Sequence, residues 1–229
     1  MIYRQLFGYQ ALRKKQYKQS KSQHISEYLS TPLPDSKLPI KDVPMVTLDF
    51  ETTGLNAKQD KLLSVGYCNV EQLKISLASS HHQIINCQQV LKSDNVGIHH
   101  ITEQEQARGL QLADELERLL KTVAGKVLLV HYAKIERLFL QQACMELYGE
   151  SPLFLFVDTL ALHKKRFDQQ TIPYDPSQLR LESLRERYKL HNYHAHNALS
   201  DAVATAELFQ AFIYQNELEN KPLNHFLNW

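Results

Sequence analysis

VTLDFETTGL, residues 46–55, decides how the rest of the chain is read. Apolar and polar residues alternate through it, as in a strand with one buried face. Residues two apart on a strand share a face, so Asp49 and Glu51 project together, and Thr52, Thr53 and Gly54 then turn the chain. Two carboxylates held that close repel and raise each other's pKa unless a cation lies between them. Oxygen-only donors favour a hard divalent ion such as Mg2+ or Mn2+. Taken alone, a D-x-E pair is more readily a solvated acidic strand end.

The surroundings carry a regular pattern. MVTLDF, KLLSVGYCNV and QLKISLAS read as three consecutive strands, antiparallel to one another. QLADELERLLKTVAG has helical spacing and a glycine stop, followed by the strand KVLLVH, the helix AKIERLFLQQACMELYG and the short strand LFLFVDTL. QLRLESLRERYKL and NALSDAVATAELFQAFIYQ are helical. Hairpins followed by strand-helix alternation predict an α/β fold, a mixed β-sheet flanked by helices. Residues 44–215 form this domain. Residues 1–43 precede it as a basic extension, an amphipathic helix and then a basic stretch, ending in STPLPDSKLPIKDVP. Pro32, Pro34, Pro39 and Pro44 bar regular helix and sheet there, giving a linker or a strap. Residues 216–229 are a C-terminal tail whose Phe226, Leu227 and Trp229 suit packing on the chain's own domain.

A second stretch changes the weight of Asp49 and Glu51. In HAHNALSDAVATAELF, His196 enters a helix and Asp201 follows five residues on, among Ala198, Leu199, Ala202 and Ala206 of a packed face. A lone histidine at a helix start is usually structural. A histidine and an acid at this spacing, together with D-x-E, is a much rarer coincidence. A third stretch is HYAKIERLFL, residues 131–140. Its polar stripe is Lys134, Arg137 and Gln141, whereas Glu136 lies with Phe139, Leu140 and Ala143 at helical spacing. A carboxylate turned towards packed surface needs a cation or hydrogen-bond donors.

In the order LDFETTGL, HYAKIERLFL and HNALSDA, over about residues 46–214, the chain resembles the DEDDh 3′→5′ exonucleases and is similar to the proofreading epsilon subunit of bacterial DNA polymerase III. GIHHIT, VDTLAL and LESLRERYKL resemble the family's connecting segments. The resemblance implies a ribonuclease H-like fold and hydrolysis of phosphodiester bonds with two divalent metal ions, Mg2+ or Mn2+. It casts Asp49, Glu51, Glu136 and Asp201 as metal ligands. His196 becomes the general base, a role that suits imidazole because it titrates near neutrality. It places the backbone of Thr52 and Thr53 against the terminal nucleotide, Leu55 against its base, and His99 along the same pocket. Tyr132 is a candidate substrate contact, its aromatic ring able to stack on a base, although a tyrosine at a strand-helix junction is more often core with its hydroxyl satisfied. The product is a nucleoside 5′-monophosphate released from a single-stranded 3′ end, with DNA favoured. The chain departs from the family at two positions: Glu136 replaces the usual Asp, and Tyr132 stands where Asn is usual. Asp158 is assigned as a helix cap rather than a fifth ligand.

Composition sets the outer bounds. At 229 residues, 43% hydrophobic and 22% charged, the chain can bury one substantial core. No apolar run reaches the roughly 18 residues of a membrane span, and MIYRQLFGYQALRKK lacks the apolar core of a secretory signal, so a cytoplasmic location is expected. Cys68, Cys87 and Cys144 form no C-x-x-C pair, which excludes a zinc ribbon or a disulfide framework by spacing. A formal charge of +1 excludes a nucleic-acid coat, while an enzyme gripping one strand end needs only local basic surface, for which HKKRF and RERYK are candidates. The competing expectation is a nucleic-acid-binding or polymerase-associated module whose chemistry the Glu136 change has weakened or disabled. A third keeps the fold and docks the basic N-terminal helix or the tail on a polymerase or sliding clamp.

Overall fold

Alternation along Met45–Thr52 builds strand β1, the middle of a five-stranded sheet. In the computed structural model the described residues are 2–87, 101–170, 173–193 and 196–227, with side chains from residue 9 onward. Strands β2 (Leu62–Glu71) and β3 (Lys74–Ile84) follow as an antiparallel meander. Strands β4 (Val127–Val130) and β5 (Phe156–Asp158) add in parallel on the other side, giving the order β3-β2-β1-β4-β5. The three expected antiparallel strands and the mixed sheet are therefore present.

Eight α-helices occur among the described residues: α1 (Ile2–Gln19), α2 (Gln23–Ser30), α3 (Glu103–Ala107), α4 (Leu112–Val123), α5 (Lys134–Tyr148), α6 (Thr159–Asp168), α7 (Leu181–Arg187) and α8 (Ala198–Gln215). The period of two along β1 divides them between two cores. Val46, Leu48 and Phe50 face one side, with Leu119 and Leu120 of α4, Leu140 of α5 and Ile25 of α2. Met45 faces the other, with Phe209 and Ile213 of α8. Each fully buried Leu, Ile or Phe contributes about 1.5–3 kcal/mol relative to exposure, so both faces are firmly held. On the α8 side the Thr47 hydroxyl donates to the Ala202 carbonyl at 2.6 Å, tying the helix directly to β1.

The basic stretch after the first helical turns is itself helical, because α1 runs through it to Gln19 and α2 follows. Arg13 is buried and donates to the carbonyls of Tyr28 (2.6 Å), Thr31 (2.9 Å) and Leu153 (3.4 Å). The proline-rich segment lies across the second core: Ile40 and Val43 are fully buried, and Ile40 N–H donates to the Lys221 carbonyl. Phe226, also fully buried, packs edge-on against Phe209. No described helix is long and apolar enough to cross a membrane.

Candidate active site

Asp49 and Glu51 stand in the last half of β1 on the face towards α8, as the period of two requires. Asp201 comes from the first turn of α8, whose start is set by the Asn197 side chain accepting the Ser200 N–H at 3.1 Å. One carboxylate oxygen from each of Asp49, Glu51 and Asp201 lies within 4.8 Å of the others. The clustering is unfavourable for three anions. Burial, and then the charges of Glu136, Glu51 and Asp201, push the Asp49 carboxyl well above the ordinary range. Burial, opposed by the His196 N–H and reinforced by Glu51, lifts Asp201 to about 6.

Glu136 is 3% exposed in the first turn of α5, on the buried side with Phe139, Leu140 and Ala143. It does not join the solvated stripe of its helix. Its Oε2 is buried with no hydrogen-bond partner, and burial, with Asp158 adding to it, raises the carboxyl to about 8. An unpartnered buried oxygen facing the charge of Asp49, beside three converged carboxylates, fits a hard divalent cation. Asp49, Glu51, Asp201 and Glu136 are the residues present to hold one.

His196 lies at the mouth of this cluster. Its side chain is exposed, its φ is +69°, and its backbone N–H donates to Asp201 Oδ2 at 2.9 Å, so the same carboxylate fixes the turn that carries the imidazole. Thr52 is buried, its hydroxyl donating to the Gly54 carbonyl at 2.7 Å. Thr53 N–H donates to the Lys61 carbonyl at 2.9 Å, and Lys61 N–H donates back to the Thr53 hydroxyl at 3.0 Å. Leu55 is 76% exposed on the turn that follows. His99 lies outside the described residues.

Tyr132 is 43% exposed and adopts a φ of +73°. It is not the core tyrosine that a strand-helix junction commonly holds. Asp158 caps α6, accepting from the amides of Leu160 (3.0 Å) and Ala161 (3.3 Å), as expected, and also receives Tyr132 N–H at 2.9 Å and Ala133 N–H at 3.0 Å. His131 sits between Thr159 Oγ1 (2.8 Å) and the Leu179 carbonyl (3.0 Å). A carbonyl only accepts, so Nε2–H donates to Leu179, while the Thr159 hydroxyl, which donates to the Val130 carbonyl at 3.1 Å, lies against Nδ1. Burial holds this imidazole down at about 4, hence neutral.

Two residues that shape the site carry no signal in the sequence read alone. Gly66 pairs with Asp49 across the sheet, and a Cβ there would lie 2.1 Å from the Ala198 carbonyl carbon and the Leu199 nitrogen. The missing side chain is what lets the start of α8, and with it Asp201, settle against β1 and β2. Asp60 accepts the Asn56 N–H at 2.8 Å and crowds Gly54, where a Cβ would stand 2.5 Å from its Oδ2. It thereby fixes the turn bearing Leu55.

The fold is ribonuclease H-like, as in exonucleases of known structure. Escherichia coli exonuclease I in its complex with single-stranded DNA superposes with a TM-score of 0.66 at 15% identity, over 77% of this chain and 41% of that one. The nuclease domain of 3′hExo, a DEDDh family member bound to rAMP, gives 0.65 at 15% identity, over 81% of this chain and 96% of that one. The chain belongs to the DEDDh 3′→5′ exonuclease family, the Exonuclease (RNase T) profile matching residues 46–209. Among relatives, DNA polymerase III subunit epsilon of Treponema pallidum is 29% identical over 182 residues, 78% of this chain and 80% of the relative. The PolC-type DNA polymerase III of Thermotoga maritima is 27% identical over 175 residues, 75% of this chain. The chain spans only 12% of the length of that PolC-type relative.

Proposed function

We propose that this protein removes nucleotides from single-stranded 3′ ends, DNA before RNA, releasing nucleoside 5′-monophosphates. The observation that carries the reading is the convergence of Asp49, Glu51 and Asp201, from two distant segments, beside the unpartnered oxygen of buried Glu136. These four residues would hold two divalent ions, Mg2+ or Mn2+. When bound, such ions supply an activated water and neutralise charge on the phosphate and the leaving 3′ oxygen. His196 takes the proton of the attacking water, from a turn that Asp201 keeps in place. The turn at Thr52 and Thr53 meets the terminal nucleotide through its backbone, and Leu55 presses on the base. His99 and Tyr132 complete the substrate contacts.

DNA is favoured because the curated relatives are DNA polymerase III proteins. The same likeness supports a cytoplasmic site of action and association with a replicative polymerase. Because Phe226 is buried, such docking would use other surface, and a pull-down with the exposed Lys14, Lys15 and Lys18 of α1 changed to Glu tests that surface without removing buried residues.

The test is release of mononucleotides from a labelled oligonucleotide with Mg2+ or Mn2+, beside Asp49→Asn and Asp201→Asn. Each variant is expected to lose at least about 100-fold in kcat/KM. A protein that degrades nothing, or variants that match wild type, would end this reading and leave a binding module.

A further inference from the structure

The turn between β4 and α5 holds a bulky aromatic where the backbone is left-handed. A φ of +73° is strained for tyrosine, and glycine or asparagine would occupy the same turn more easily. The conformation is imposed from outside. The Asp158 carboxylate receives the amides of Tyr132 and Ala133, one on each oxygen, while His131 is locked on Thr159 and Leu179 and Ala133 is buried. Despite this investment the ring is 43% exposed, so it does not serve the core. Strained residues that the surrounding structure over-determines concentrate where a ligand is met.

Its position says which ligand. Strands β1 and β4 are parallel neighbours, so the turns after them open at the same end of the sheet, the end that carries Asp49 and Glu51. Glu136 lies four residues beyond Tyr132, near enough to Asp158 to feel its charge. Exposed Leu55 and exposed Tyr132 therefore stand on pinned turns beside the same carboxylates.

We propose that Tyr132 is a stacking platform for an unpaired base next to the 3′ end, and that Asp158 is its positioning residue. An aromatic face stacks on any base, but only when that base is free of its own neighbours, so this contact selects single strands without selecting sequence. The proposal rests on the exonuclease reading above and adds its specificity device.

The test uses the full-length protein with Mg2+ and an oligonucleotide whose last linkage is a phosphorothioate, carrying 2-aminopurine one nucleotide from the 3′ end. Wild type and Tyr132→Phe are expected to quench the fluorophore. Tyr132→Asn, which suits the left-handed turn, is expected to melt no lower than wild type yet bind about tenfold or more weakly, with the loss in KM rather than kcat on a cleavable strand. Asp158→Asn, able to accept at only one of the two amides, should quench less although Tyr132 is intact. Binding by Tyr132→Asn within twofold of wild type, with equal quenching, overturns the platform while leaving the exonuclease standing. Unchanged quenching in Asp158→Asn removes the positioning role. Absence of any binding or cleavage by wild type overturns both readings together.

Discussion

At Glu136 one methylene separates this chain from the acid usual in the family it resembles, and the longer side chain is buried. Glu136→Asp withdraws the carboxylate from Asp49 and leaves a gap against Phe139 and Leu140, so kcat/KM is expected to fall about tenfold rather than rise. Activity at or above wild type in a steady-state assay would show that the helix already compensates. The buried placement of Glu136 is legible in the sequence, because i+3, i+4 and i+7 neighbours on a helix are fixed by geometry. The left-handed turn at Tyr132 is not, since the carboxylate that imposes it lies 26 residues away along the chain.

Helix α8 and its seat show what an element contributes. Gly66→Ala would place a methyl group into the backbone of Ala198 and Leu199, so α8 must move off the sheet at the end that carries Asp201. About 1–3 kcal/mol of stability and up to about 100-fold in activity are expected to go with it, read by thermal melting and by kcat/KM. Isothermal titration with Mn2+ should weaken in parallel. Helix α6 gives a pH prediction. His163 is buried, bonded to the Thr159 carbonyl at 2.7 Å and held down at about 4 by burial, as is His131 at its neighbouring junction. The unfolded chain takes up a proton at each below about pH 6.5 while the folded chain does not. Their stabilising effect is therefore complete above pH 6.5 and lost progressively towards pH 4, opposite in sense to the raised carboxylates of the site. Urea unfolding should show the advantage of wild type over His163→Gln shrinking as pH falls through this window. The β1 alternation and the helix spacings reveal these elements individually; which glycine receives which helix depends on contacts more than a hundred residues apart in sequence.

For the molecule as a whole, α1 is joined to α2 and to Leu153 through a buried cation. Arg13→Ala would strip donors from the carbonyls of Tyr28, Thr31 and Leu153, at an expected cost of about 2–4 kcal/mol. Limited proteolysis within residues 30–44 should quicken accordingly, and unchanged cleavage would show the extension to be independent of that contact. Prolines announce the irregular course of this segment but say nothing of where it lies, because proline removes local structure without specifying a partner. The partner is the far end of the chain. Ile40 N–H and Lys41 N–H donate to the carbonyls of Lys221 and Glu219, over a core that also takes in Phe226. During synthesis, Ile40 and Val43 emerge long before the residues that cover them. A growing chain must carry that greasy face uncovered, in the reach of chaperones and of its own neighbours, until the last contacts arrive to close it.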